Sequence, residues 1–250
     1  MSDHTGTYHL YYGDETGSPG TILTFLPWGR MGTGSVHHVA YRTPDDPSEA
    51  RGTDPSQAEA ALILLHGRGA SAESILGLAG ELQTDGLTVV APQAEGNTWY
   101  PQSFLAPLEV NRAGVDGAVA VIDSLVDDLV RKGLARERIV LGGFSQGACL
   151  ALHYAFTRPA RYGAVFALSG GLIGPPGTVF EPAGDFDGTP VFLGCSDVDP
   201  HIPAERVRES HEAFSAAGAR SEMQLYPGMP HTVNADEIGR VDALIAEARG

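Results

Sequence analysis

The chain has 250 residues, 42% of them hydrophobic and 19% charged, with 32 glycines and 17 prolines. That is an ordinary globular make-up with room for one large domain and a small appendage. With 31 acidic against 16 basic side chains the formal charge is −15, which repels phosphate backbones and anionic bilayers and so argues against nucleic acid or a membrane as partner. No apolar run approaches the roughly 20 residues of a membrane span, and the opening residues do not form a signal peptide. The two cysteines, Cys149 and Cys195, lie in apolar strings and read as small core residues of a reducing compartment, so a cytoplasmic protein is expected.

The first 43 residues form strands at 8–12, 21–26 and 36–41, punctuated by Gly13, Gly17, Pro19-Gly20 and the glycine-rich stretch 29–34. Three strands without a helix are marginal alone. Their Tyr11, Ile22, Phe25, Leu26 and neighbouring Trp28 carry too much apolar surface to stay free, so this arm (1–43) is expected to dock. Residues 44–58 read as a linker: from Thr43 to Gln57 there are three prolines, four acids and no hydrophobe larger than alanine.

From 59 to 250 short apolar runs alternate with helical patterns. Strands are expected at 61–65, 87–91, 139–142, 164–168, 191–194 and 222–226, most of them continuously apolar, as in a parallel sheet covered on both faces. Val115, Val119, Ile122, Val126, Leu129 and Val130 recur at helical spacing before Gly133; residues 203–217 repeat the pattern with Val207 and Phe214 before Gly218. Ile238, Val241, Leu244, Ile245 and Ala248 line a last helix. The expected fold class is α/β, a mainly parallel sheet flanked by helices, with a short all-β N-terminal arm.

The strand at 139–142 runs into Gly143-Phe144-Ser145-Gln146-Gly147 and then a helix. Gly-x-Ser-x-Gly occurs by chance in many chains. Between a strand and a helix it exposes a serine on a strained turn, with glycines where the flanking backbones cross. Such a serine needs a base, and the base a carboxylate. Of nine histidines only His153, His201, His211 and His231 follow Ser145. His153 lies on the helix leaving the serine and His211 within a later helix, whereas His231 occupies the loop after the last strand, where a mobile base belongs. The preceding strand ends in Ser196-Asp197-Val198-Asp199-Pro200, which offers two acids. Asp199 begins a turn and is favoured as the partner of His231; Asp197 caps the turn through backbone N–H groups in the competing reading. An oxyanion hole requires two N–H groups. Gln146, after the serine, supplies one, and Arg68, in the Gly-rich loop after the first core strand, supplies the other; the Arg68 guanidinium reads as solvated.

Leu65-His66-Gly67-Arg68-Gly69, the 143–148 segment, Asp199-Pro200 with Ile202-Pro203, and Tyr226-Pro227-Gly228-Met229 with His231 together resemble the phospholipase/carboxylesterase family of α/β-hydrolases. The resemblance covers about residues 60–249 and implies an α/β-hydrolase fold and a triad of Ser145, Asp199 and His231. It further implies cleavage of a small carboxylic ester or thioester without cofactor or metal. Within the family, residues 97–104 resemble a subgroup linked with aromatic-ring degradation, and Trp99, Tyr100 and Phe104 then wall the substrate pocket, core packing being the competing reading.

The arm resembles segments of ring-cleaving dioxygenases of the glyoxalase/vicinal-oxygen-chelate superfamily. His38 fits that family's metal position, but the second histidine and the glutamate of an iron site are missing. The arm is therefore expected to serve packing and to pair across a homodimer. The competing functions are a metal-dependent ring-cleaving or metal-binding activity of the arm, and a non-catalytic binding module on a hydrolase scaffold.

Overall fold

Ala60–Leu65 (β4) is buried at all six positions, and its side chains divide by parity: Ala61, Ile63 and Leu65 enter one apolar core, Ala60, Leu62 and Leu64 the other. A strand flanked by neighbours on both edges and by helices on both faces has no polar side to show, which is why its sequence is continuously apolar. The computed structural model describes residues 8–13, 19–25 and 49–250.

In chain order these comprise β1 (Tyr8–Gly13), β2 (Pro19–Phe25), β3 (Glu49–Gly52), β4, α1 (Ala72–Ala79), β5 (Leu87–Ala91), α2 (Leu108–Arg131) and β6 (Ile139–Phe144). There follow α3 (Gln146–Thr157), β7 (Ala164–Leu168), β8 (Pro190–Ser196), α4 (Ala204–Ala216), β9 (Arg220–Tyr226) and α5 (Ala235–Arg249). Seven strands form one sheet in the order β3-β5-β4-β6-β7-β8-β9, parallel except for β3. The expected mainly parallel sheet and its six core strands are present. α2, α3 and α4 cover one face, α1 and α5 the other. From β4 the chain steps outward to β5 and then crosses back to β6 on the other side. The loops leaving β4 and β6 therefore diverge at a topological switch point, where such sheets open a crevice at the carboxyl ends of their strands.

Two elements differ from expectation. The stretch read as a linker contains β3, which pairs antiparallel with β5, Glu49 opposite Ala91 and Gly52 opposite Thr88. An edge strand needs backbone bonds on one side only, so it carries no apolar pattern to be read. Gly52 closes it at φ +95°, where an added Cβ would stand 2.2 Å from the Leu87 carbonyl oxygen. α1 was not anticipated: it has eight residues and starts from a Ser71–Ser74 capping box, with Ile75, Leu76 and Leu78 buried.

β1 and β2 form an antiparallel hairpin, Tyr8 opposite Phe25 and Tyr11 opposite Ile22, matching the first two arm strands. The third expected strand, Trp28 and His38 lie outside the described residues. Among the described residues no helix is long and apolar enough to cross a membrane, and no group of three His, Cys, Asp or Glu is arranged to hold a metal ion.

Candidate active site

Ser145 sits at the N-cap of α3 with φ 55° and ψ −118°, a conformation forced by a tight crossing of backbones. A Cβ on Gly147 would stand 2.1 Å from the Leu65 carbonyl oxygen, and one on Gly143 2.5 Å from the same atom. Both glycines are required because the turn presses against the end of β4. The serine thereby points off the carboxyl end of the sheet, beside the first N–H groups of α3, which have no intrahelical acceptor.

Two loops, those after β8 and β9, converge on it. The Ser145 hydroxyl donates to His231 Nε2 at 2.9 Å, and His231 Nδ1 donates to Asp199 Oδ2 at 2.6 Å. Ser145 and His231 are 6% and 4% exposed, so the chain of bonds is shielded from water. Asp199 Oδ1 accepts the N–H groups of His201 at 2.8 Å and Ile202 at 3.0 Å. Burial pushes the Asp199 carboxyl up, but the hydrogen bond and charge of His231, with those two N–H groups, outweigh it and hold the carboxyl below its ordinary range. Asp197 lies elsewhere: its Oδ1 accepts the Gly228 N–H at 2.8 Å, tying the loop after β8 to the loop that carries His231. A hydroxyl bonded to an imidazole that is itself held by a buried carboxylate has the arrangement needed for nucleophilic attack on a carbonyl.

Two of the other candidate histidines are occupied away from Ser145. His153 is packed on α3, where burial pulls its ring down to about 4, and His211 Nδ1 meets Ser221 Oγ at 2.9 Å. Cys149 borders the site, but burial pushes its thiol up to about 12, too high for a nucleophile at neutral pH.

Beside Ser145 opens a cavity of about 760 Å³ lined by Tyr100, Phe104, Pro101, Ile202, Gln146 and Arg68, among others. Tyr100 and Phe104 line this cavity. Trp99 does not: its indole N–H donates to the His66 carbonyl at 2.8 Å, and its ring packs 4.8 Å from the His66 ring, behind the loop that follows β4. An aromatic triplet in sequence does not reveal which ring turns inward.

Several side-chain roles around the site were not legible in the sequence. The Arg68 guanidinium, expected to be solvated, donates to the carbonyls of Tyr100, Pro101 and Gln102 at 2.7 to 3.0 Å. The Gln146 amide accepts the Trp99 N–H and donates to the Tyr100 carbonyl. His66 is fully buried; its Nε2 accepts the Ala94 N–H at 3.1 Å, so Nδ1 carries the proton and donates to the Gly67 carbonyl at 2.8 Å. Burial pulls the His66 ring below its ordinary range, so the ring stays neutral and fixes the turn that presents Arg68. His201 lines the cavity with its ring 4.9 Å from that of His231. Its place in Asp199-Pro200-His201 was the one available signal.

Acyl-protein thioesterase 1 of Gibberella zeae is 32% identical over 124 residues, 49% of this chain and 53% of that protein. Acyl-protein thioesterase 1 of Saccharomyces cerevisiae is 31% identical over 143 residues, 56% of this chain and 63% of that protein. The matched stretches thus span between a half and two thirds of these curated relatives. Among solved structures, a phospholipase/carboxylesterase from Dyadobacter fermentans superposes with a TM-score of 0.77 and 38% identity over 83% of this chain and 100% of its own. Esterase PE8 does so with 0.68 and 26% over 81% and 99%. Residues 52–248, from the end of β3 to the end of α5 and excluding the arm, match the phospholipase/carboxylesterase family model, and the chain belongs to that family.

Proposed function

We propose that the protein is a serine hydrolase that cleaves small carboxylic esters or thioesters through an acyl-enzyme. Ser145 Oγ attacks the carbonyl carbon as His231 Nε2 takes its proton, and Asp199 keeps the imidazole in the tautomer that receives it. The backbone N–H groups of Arg68 and Gln146 stabilise the oxyanion; among the described residues neither is given to a protein acceptor. The tetrahedral intermediate collapses, the C–O or C–S bond breaks, and His231 returns the proton to the departing alcohol or thiol. Water then repeats the sequence on the acyl-serine, releasing the acid and restoring Ser145. Tyr100 and Phe104 hold the acyl group against the apolar side of the cavity.

The observation that carries this reading is the unbroken Ser145–His231–Asp199 chain of hydrogen bonds at 2.9 and 2.6 Å on a positive-φ serine. The test is labelling with a fluorophosphonate together with turnover of p-nitrophenyl esters. Ser145 alone is expected to carry the label, and Ser145→Ala to lose about six powers of ten in turnover while keeping its fold. Label on another serine, or full activity without Ser145, overturns the proposal.

The two cysteines, both free and buried, support a reducing cytoplasmic setting. The apolar content of residues 1–43 supports a homodimer joined through the arm. Deleting 1–43 is expected to leave ester cleavage intact and to shift sedimentation toward the monomer; an unchanged sedimentation coefficient per chain rules the arm out as the dimer contact.

A further inference from the structure

The wall of the cavity between Thr98 and Phe104 has no helix or strand; Thr98, Ser103 and Phe104 make main-chain bonds, but the backbone groups from Trp99 to Ser103 take several side-chain partners. Three residues supply them. The Arg68 guanidinium takes the carbonyls of Tyr100 (2.9 Å), Pro101 (3.0 Å) and Gln102 (2.7 Å), with its Cζ 5.9 Å from the centre of the Tyr100 ring. The Gln146 amide holds the Trp99 N–H at 3.1 Å and the Tyr100 carbonyl at 2.9 Å. Asn111, fully buried on α2, accepts the Gln102 N–H and donates to the Ser103 carbonyl, both at 2.8 Å. Two of these three residues are the ones whose main-chain N–H groups are proposed above as the oxyanion donors. The same short peptide units therefore face the reacting carbonyl with their N–H groups and grip the pocket wall with their side chains.

We infer that Arg68 is a positioning residue: its side chain couples the wall at 98–104 to the oxyanion hole, so that a substrate filling the pocket is read out in turnover rather than in binding alone. An acyl chain that reaches Tyr100 and Phe104 bears on carbonyls held by the guanidinium, and the Arg68 peptide unit is set by the same contact. A short acyl chain leaves the wall untouched and gains nothing from it. A lysine cannot substitute, because a single ammonium has neither the planar fork nor the reach to serve three carbonyls at once.

The inference rests on the serine hydrolase reading, and the experiment separates the two. The full-length wild type, Arg68→Lys, Arg68→Ala and Asn111→Ala are assayed on p-nitrophenyl esters from acetate to octanoate, with kcat and KM resolved. All variants keep the N–H of residue 68. Wild type inactive on every ester defeats the hydrolase reading itself. With an active wild type, Arg68→Ala is expected to lose about 10- to 100-fold in kcat on the esters that fill the pocket and distinctly less on acetate, a displacement cost below full loss of an oxyanion donor. KM should move by less than about threefold, since the binding contacts of the acyl chain remain. Added guanidinium chloride at millimolar concentration is expected to restore part of the lost kcat. Arg68→Lys should show the same chain-length pattern at smaller amplitude, and decides the matter if the alanine variant does not fold. Asn111→Ala loosens the wall from α2 without touching either donor and is expected to act mainly through KM. An equal loss on every chain length, an effect confined to KM, or the same kcat pattern in Asn111→Ala overturns the assignment.

Discussion

Ser145 and His231 meet at 2.9 Å, but the two sides of that contact are built by different means. The serine side is steric: β6, the turn and α3 cross the end of β4 so closely that neither Gly143 nor Gly147 has space for one more carbon. The acid–base side is made of hydrogen bonds between loops. Asp199 is fastened by the N–H groups of His201 and Ile202, and Asp197 ties its loop to Gly228. Behind His231, the Asn234–Glu237 capping box starts α5 three residues later. A nucleophile that must not move is held by packing, whereas a base that must pick up and return a proton is held by bonds that tolerate small shifts. Perturbing the first side should therefore cost fold, and perturbing the second should cost chemistry.

The largest expected effect tests the second half of that contrast. Asp199→Asn keeps the shape of the side chain but offers His231 Nδ1 an ambiguous partner, so the imidazole can present its N–H to Ser145 instead of its lone pair. Turnover should fall about ten-thousandfold, which is about 5.5 kcal/mol of transition-state stabilisation. The melting temperature should move little. Steady-state rates and calorimetry on the same preparation distinguish the outcomes. A variant that unfolds but, when folded, turns over normally would break the comparison.

Gly147→Ala probes the steric half. The new methyl would lie 2.1 Å from the Leu65 carbonyl and 2.6 Å from that of His66, both main-chain atoms that cannot swing aside. The expected cost is more than about 3 kcal/mol of folding stability, at or beyond the usual range for overpacking. Denaturant titration measures it. A variant that melts like the wild type would show that the crossing has slack, and the serine would then need some other restraint.

Glu237 bears on the same contrast through pH. It is fully buried, its Oε2 accepts the Asn234 N–H, and among the described residues its Oε1 has no partner. It packs on Gly194 of β8, and the charged or titratable groups facing it are Asp199 beyond that strand, Cys195 on it, Tyr226 on β9 and Asp236 on its own helix. Burial, aided by Asp236 and Asp199 and opposed by the Asn234 N–H, pushes its carboxyl from 4.5 up to about 7. The folded state then holds this proton more tightly than the unfolded chain. Its contribution to stability is fully present below pH 4.5 and is lost progressively as pH rises to about 7, in total about 3 kcal/mol. Glu237→Gln, neutral at every pH, should flatten that decline and melt higher than the wild type at pH 8. Equal slopes for the two proteins between pH 5 and 8 would mean that the carboxyl is ionised throughout.

The steric half was the more legible in the sequence. A glycine on each side of a serine, between an apolar strand and a helix, records the crossing directly, because no other residue fits there. The base and the acid were found by their order after the serine and their places behind β8 and β9. What escaped were residues whose work lies in their far ends. The Arg68 guanidinium spans to carbonyls more than thirty positions away, and no local pattern announces that reach. Aromatic character leaves pocket wall and core packing equally open, and only the fold shows the Trp99 ring against His66. β3 reads as linker in the sequence because an edge strand held by main-chain bonds leaves Glu49, Ala50 and Arg51 free of any apolar pattern.

The smallest effect expected is at Asp197, two residues from Asp199 and of the same chemical type. Its carboxylate accepts one N–H, from Gly228, at an exposed position, so the bond it makes competes with water. Asp197→Ala should cost about 1 kcal/mol of stability, the ordinary net worth of one such hydrogen bond. The loop that carries His231 would be less firmly tied, yet His231 would keep both of its own partners, Ser145 and Asp199. Turnover should then fall by less than about tenfold, within what modest misplacement of a base produces. The ratio of the two aspartate effects on kcat, more than about a thousandfold, is the sharper measure, because it cancels any common disturbance of the loop between β8 and α4. If Asp197→Ala lost as much turnover as Asp199→Asn, the tether between loops would be as demanding as the packing beneath Ser145, and the distinction between the two sides of the site would fail.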